Sequence, residues 1–152
     1  MLRSSPKLLD FIRRSEAPGG VPVLHAYLDP NGIPTIGFGH TDGVRMGMTI
    51  SAQLAEALLI EDVSSVEFEL TPMVQALTLT QGMWDALVDL TFNMAGGPRA
   101  LPRKAPKLFS YLCNGDKEAA ANEFLDIDHD AKGDVLPGLA ARRKADAAMF
   151  LS

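Results

Sequence analysis

The sequence predicts a mostly helical α+β fold with one small antiparallel sheet near its N-terminus. Three observations carry this reading: a hairpin signature around residues 27–41, an apolar-periodic run over residues 51–71, and a dense apolar stretch from Thr80 to Met94. At 152 residues the chain suits a single domain large enough to bury a core. It contains no low-complexity stretch and no internal repeat.

The first helix starts at Ser5-Pro6, where serine caps and proline takes the first helical position. Leu8, Leu9 and Ile12, with Phe11 at their edge, form its apolar stripe, and Pro18-Gly19-Gly20 stops it. Glu16 therefore falls in the last turn, where the negative end of the helix dipole opposes ionisation. Arg13, Arg14 and one of Arg142 or Arg143 would act in the opposite sense.

Tyr27-Leu28-Asp29-Pro30-Asn31-Gly32-Ile33-Pro34-Thr35 then reads as two short strands around a turn. Proline presets φ, and Asn-Gly accepts positive φ at little steric cost. Gly37 and Gly39 flank Phe38 in a β-favouring run, which marks a bend or the close approach of backbone to a ligand or another segment.

Thr49 and Ser51 can cap the next, long helix, with Leu54, Leu58, Leu59, Val63 and Val66 on one side and an end near Thr71-Pro72. Thr80 caps a helix in which Trp84, Leu87, Val88, Leu90, Thr91 and Met94 are so densely apolar that it must be buried, and Gly96-Gly97-Pro98 ends it. Further helices are expected over residues 105–113, 116–125 and 139–151, with Asn114-Gly115 and Gly133 as breaks.

The formal charge of −5 is uneven. Between Ser51 and Leu70 stand five acids, Glu56, Glu61, Asp62, Glu67 and Glu69, and no Lys or Arg; the rest is balanced. The basic group Arg99, Arg103, Lys104 and Lys107 reads as a solvated helix entry, not as the basic face a nucleic-acid binder needs. The single cysteine, Cys113, excludes an intramolecular disulfide and is expected buried in a helix as a small hydrophobe. The start lacks the apolar core of a signal peptide, and no apolar run reaches the length of a membrane span. The chain is thus expected to be made soluble, without stable membrane insertion.

Asp126, Asp128 and Asp130 alternate like the opening of a calcium loop. Ala131 occupies the place of the required glycine and Pro137 that of the bidentate glutamate, so the pattern argues against calcium. His25 and His129 have no His or Cys partner at ligand spacing, so no zinc site is supported, and exposed loop positions are the default for both.

Glu16, Asp29 and the intact run Thr35-Ile36-Gly37-Phe38-Gly39-His40 resemble the phage-type lysozymes, the endolysins of glycoside hydrolase family 24. The similarity continues through Leu79-Thr80-Gln81, Asp85-Ala86-Leu87-Val88, Phe92-Asn93, Leu136-Pro137-Gly138-Leu139 and Arg142-Arg143, and so covers nearly the whole chain. One departure is a longer step from Glu16 to Asp29, with the extra length in residues 17–22. A second is the absence of an aromatic residue in Asp126-Ile127-Asp128, which weakens sugar stacking there.

The resemblance implies a lysozyme-like domain over residues 1–152, with an N-terminal lobe over about 15–50, a linking helix over about 51–71 and a helical C-terminal lobe over about 72–152. It implies hydrolysis of the β-1,4 bond between N-acetylmuramic acid and N-acetylglucosamine in bacterial peptidoglycan, with inversion, leading to host lysis. Inversion needs a proton donor and a second carboxylate about 6.5 to 9.5 Å away to activate water. Glu16 and Asp29 fit those roles, and Thr35 would help hold the water.

Taken singly, Glu16 is a helix-end acid, Asp29 a turn former and Thr35 a strand residue; their order and context favour catalysis. His40 and Asp62 are expected to form the family's structural pair, tying hairpin to helix and raising the histidine pKa. Gln81, Asn93 and Arg142 are candidate substrate-binding or supporting residues. No cofactor is implied, the chain is expected to be a monomer, and it would wait in the host cytoplasm until a separate membrane-permeabilising protein releases it to the wall. The rival readings are a lytic transglycosylase, against which Asp29 and Thr35 argue, and a non-cleaving peptidoglycan binder of the same fold.

Overall fold

A computed structural model describes residues 2–129 and 132–152. Mainly helical, it carries one two-stranded antiparallel sheet. The chain divides into two compact units, Pro6–Ser65 and Val66–Ser152, the second taking in the segment before the first helix.

In the N-terminal unit, α1 (Pro6–Glu16) buries Leu8 and Ile12 and gives way to a single 3-10 turn, Pro18–Gly20. Strand β1 (Val23–Leu28) pairs with β2 (Pro34–Gly37) in the register Tyr27 opposite Thr35 and Leu28 opposite Pro34, with an irregularity nearer Val23. Proline is tolerated at the first residue of β2, where no ladder donor is needed. On the other side of β1, Ala26 N–H donates to the Met48 carbonyl and Ile50 N–H to that of Leu24. Thr49 consequently forms a bridge with His25 and does not cap the following helix. Ser51 does, accepting from Leu54 N–H at 3.1 Å.

Helix α2 (Ala52–Val74) runs through Pro72, beyond the end expected at Thr71-Pro72. The residues at α-helical spacing explain this. Leu70 and Val74 are buried, at 0% and 4% exposure, so continuing for another turn keeps apolar side chains out of water and offsets the one hydrogen bond that proline cannot donate. Leu54, expected on the apolar side, is exposed, while Ala55, Leu59 and Val63 are buried.

In the C-terminal unit, Thr80 accepts from Met83 N–H and caps α3 (Gln81–Asn93), whose residues from Trp84 to Thr91 are all buried. Its main partner is α7 (Pro137–Leu151). A Cβ on Gly82 would fall 2.2 Å from the Met149 carbonyl oxygen, so the two backbones meet where only glycine fits. Between them in sequence come α4 (Leu101–Lys104), α5 (Pro106–Asn114) and α6 (Lys117–Glu123), with α6 continued by a 3-10 turn to Asp126. Phe124 and Phe150 pack with ring centroids 5.4 Å apart. The short α4 was not legible in the sequence, and α7 begins at Pro137, ahead of the expected Leu139.

Cys113 is exposed, which corrects the expectation of a buried thiol. Leu108 and Leu112 supply the buried stripe of α5, and Cys113 turns outward one residue later, beside the left-handed Gly115 that ends the helix.

Candidate active site

Glu16 is the last residue of α1, and its carboxylate lies close to the backbone of Gly39. A tight turn brings that backbone there. Ile36 and His40 exchange both backbone hydrogen bonds at 2.9 Å, so Gly37-Phe38-Gly39 is pinched into a short loop with both glycines at positive φ. A Cβ on Gly39 would stand 2.9 Å from Glu16 Oε2, and one on Gly37 would touch Ala55 of α2 at 3.4 Å. The close approach that the two glycines signalled is therefore to a carboxylate at one position and to a helix at the other.

Asp29 is both a turn former and a candidate for chemistry. Its Oδ1 accepts from Asn31 N–H at 2.8 Å and from Ile33 N–H at 2.9 Å, locking the turn, while neither of these bonds uses Oδ2. Thr35, only 4% exposed, donates its hydroxyl to the Ile33 carbonyl at 2.9 Å. Its hydrogen is thus committed and its oxygen remains an acceptor. The same Ile33 holds Asp29 through its N–H and Thr35 through its carbonyl, so one turn residue orients both.

Arginines of α1 and α7 pair with acids within their own units. Arg13 binds both carboxylate oxygens of Glu56 at 2.8 to 3.0 Å, and Arg14 pairs with Asp10 at 2.6 Å. Arg142 grips Asp89 through Nε and a terminal nitrogen, each at 2.8 Å, and Arg143 reaches Asp89 at 3.2 Å and Asp146 at 3.0 Å. This last cluster is sealed in the C-terminal unit. Burial above all, and then the charge of Asp89, push the Asp146 carboxyl up to about 9, against the pull of the two arginines.

His40 Nδ1 lies 2.8 Å from Asp62 Oδ2, joining the turn to α2. Burial raises the Asp62 pKa, and the bond to His40 opposes that rise without cancelling it. The acid-only stretch of α2 is in fact largely matched by side chains from other segments. Arg13 meets Glu56, His40 meets Asp62, Arg3 meets Glu67 at 2.7 Å, and Arg99 meets Glu69 at 2.9 Å. Glu67 is buried, which raises its pKa, but hydrogen bonds from Arg3 and Ser4 reverse the sign and lower it overall.

Gln81 donates its side-chain amide to the Arg3 carbonyl and to Asp85, each at 2.8 Å. Asn93 is exposed and lines a cavity of about 280 Å³ with Leu90, Lys104, His129 and Arg143. His25 and His129 are both exposed, and His129 pairs with its neighbour Asp128 at 2.7 Å. Asp126 ends a 3-10 turn, while Asp130 and Ala131 of the calcium-like pattern lie outside the described residues. Among the described residues no three His, Cys, Asp or Glu side chains group as a metal site would require.

Sequence reasoning passed over Asp85 and Asp89, buried acids inside the apolar helix α3, and Tyr27, which stands opposite Thr35 in the sheet. The signal for the acids was their presence on a helix otherwise apolar on every side. For Tyr27 it was its place two residues before Asp29.

A profile of the phage lysozyme family matches residues 20–146. The chain belongs to that family. The endolysin of Salmonella phage P22 is 38% identical over 134 residues, covering 85% of this chain and 87% of its own length. Among solved structures, the endolysin of Escherichia coli O157:H7 phage FAHEc1 superposes with a TM-score of 0.83 at 32% identity, covering 99% of this chain and 94% of its own. The muramidase domain of SpmX from Asticaccaulis excentricus gives 0.85 at 27% identity, covering 100% and 99%. The family match takes in Asp29, Thr35 and the glycine turn and begins after Glu16. Glu16 lies before the matched segment, with its carboxylate close to the backbone of Gly39 inside it.

Proposed function

We propose that the chain is an inverting muramidase of the endolysin type, hydrolysing the β-1,4 bond from N-acetylmuramic acid to N-acetylglucosamine in bacterial peptidoglycan. The observation that carries this reading is the seating of the Glu16 carboxylate on the turn that follows Asp29 and Thr35. Glu16 protonates the departing glycosidic oxygen. Asp29 takes a proton from water through Oδ2, the oxygen that the turn leaves free, because Oδ1 is already held by two N–H donors. The Thr35 hydroxyl, whose hydrogen goes to the Ile33 carbonyl, accepts the second hydrogen of that water. The water's lone pair is then directed at the anomeric carbon.

In this reading the two carboxylates supply all the acid and base chemistry. His40 and Asp62 form a clasp that fixes the turn behind Glu16. Gln81 and Arg142 act as supports, through Asp85 and Asp89, leaving Asn93 as the candidate for direct saccharide contact. The biological role that follows is lysis of a host cell, the protein reaching the wall once a separate membrane-permeabilising protein has opened the way.

Mass spectrometry of fragments released from purified peptidoglycan tests the reading, with wild type and Glu16→Gln both checked for folding. Reducing-end muropeptides from wild type alone are the expected result. Anhydro products would point to a transglycosylase, and no fragments from folded wild type would point to a binder that does not cleave.

A further inference from the structure

Tyr27 borders the proposed catalytic set, and no step of the chemistry above uses it. It stands directly opposite Thr35 in the β1–β2 register. Residues so paired share one face of a sheet with Cβ atoms about 4.5 to 5.5 Å apart. Asp29 follows two residues later, just past the end of β1. The phenol also feels the site: partial burial, then the charges of Glu16 and Asp29, raise its pKa and keep it a neutral donor.

The residue is partly buried, and among the described residues none makes a hydrogen bond with its hydroxyl. A tyrosine held for packing ordinarily finds a partner for that group. Here an O–H donor and an aromatic surface are presented beside two carboxylates and a threonine, and among the described residues no hydrogen-bond partner receives the hydroxyl. A sugar ring offers the complement, with acceptor oxygens around its edge and apolar C–H groups on its face.

We propose that Tyr27 is a saccharide-contacting residue, its hydroxyl donating to a sugar oxygen and its ring covering a pyranose face at the bond that Glu16 and Asp29 flank. The proposal rests on the muramidase reading for the identity of the sugar.

The test measures binding of peptidoglycan glycan strands freed of stem peptides, by calorimetry, in a Glu16→Gln parent and in that parent carrying Tyr27→Phe or Tyr27→Ala. Steady-state kinetics on the Glu16 background and thermal melting accompany it. Loss of one neutral hydrogen bond should raise Kd about three- to tenfold in Tyr27→Phe, with a larger rise in Tyr27→Ala. KM should rise in parallel, while kcat and the pH profile of cleavage hold within about twofold, since uniform binding is what has been removed. A fall in kcat with a shifted pH profile and unchanged Kd would overturn the proposal in favour of a residue that only positions the carboxylates.

Unchanged Kd in both folded variants would overturn it as well, and if Tyr27→Ala melts early, the isosteric Tyr27→Phe decides alone. Should wild type bind strands in a Tyr27-dependent way yet cleave none, the contact stands and the hydrolase reading falls. Should wild type cleave while the variants bind as the parent does, the hydrolase reading stands and the contact falls. A parent that binds no strands overturns the proposal outright.

Discussion

The hairpin and the α3–α7 core each concentrate carboxylates, and they treat them in opposite ways. In the core, Asp89 is fully buried and gripped by Arg142 and Arg143, while Asp146 sits beside it with its carboxyl driven toward the protonated form. In the hairpin, the turn takes only one oxygen of Asp29, and the Glu16 carboxylate lies close to the Gly39 backbone. The difference shows two ways in which a fold can hold a carboxylate. A carboxylate whose oxygens are all saturated by arginine holds the fold together, whereas one that is oriented through a single oxygen can still accept a proton.

The sharpest way to break this comparison is at Asp29. Asn in place of Asp keeps an acceptor for the Asn31 and Ile33 N–H groups but removes the base, so cleavage should fall by about 10²- to 10⁴-fold with melting nearly unchanged. Asp29→Ala should lose the same activity and also about 1 kcal/mol of stability as the turn goes. A melting point that drops equally for both, with activity retained per folded molecule, would reduce Asp29 to a turn former.

At Asp89 the balance should invert. Asp89→Ala removes the buried carboxylate that Arg142 and Arg143 share, and chemical denaturation should show a loss of about 3–5 kcal/mol while any folded fraction keeps its specific activity. Gly39→Ala lies between these extremes. Its positive φ costs an L-residue about 1–2 kcal/mol, and the new methyl displaces Glu16 Oε2, so the rate per folded molecule should fall about tenfold or more.

Asp146 gives the most graded effect. With its folded pKa at about 9 and the unfolded value near 4, the native state keeps a proton that the unfolded chain has lost. Its contribution is therefore complete at acid pH and is lost as pH rises through that window. Asp146→Asn should differ least from wild type near pH 4 and become relatively more stable toward pH 9. Parallel melting-versus-pH curves for the two proteins would show that Asp146 does not carry a proton in the fold.

Much of the fold was legible because it follows from local rules. Ser51 and Thr80 cap their helices as their hydroxyls allow, the Asp-Pro-Asn-Gly turn sets the hairpin, and the apolar density of α3 buries it. The errors have a common physical cause. Pro72 is a helix breaker by local propensity, yet burial of Leu70 and Val74 carries α2 through it. Thr49 is a good cap, but β1 recruits it into a bridge. Cys113 is apolar enough to bury, but the angular position of its neighbours on α5 turns it out.

The sequence by itself determined the family, the mainly helical class and the order in which Glu16, Asp29 and Thr35 occur, because repeated spacing and turn chemistry are local properties. Only the tertiary structure decided which acids are saturated and which keep an oxygen free. Arg13, Arg142 and Arg143 find their partners across gaps of 43 to 54 residues, and Glu16 meets Gly39 across a loop. Such pairings depend on where packing brings distant segments together, a matter of three-dimensional distance that residue order does not encode.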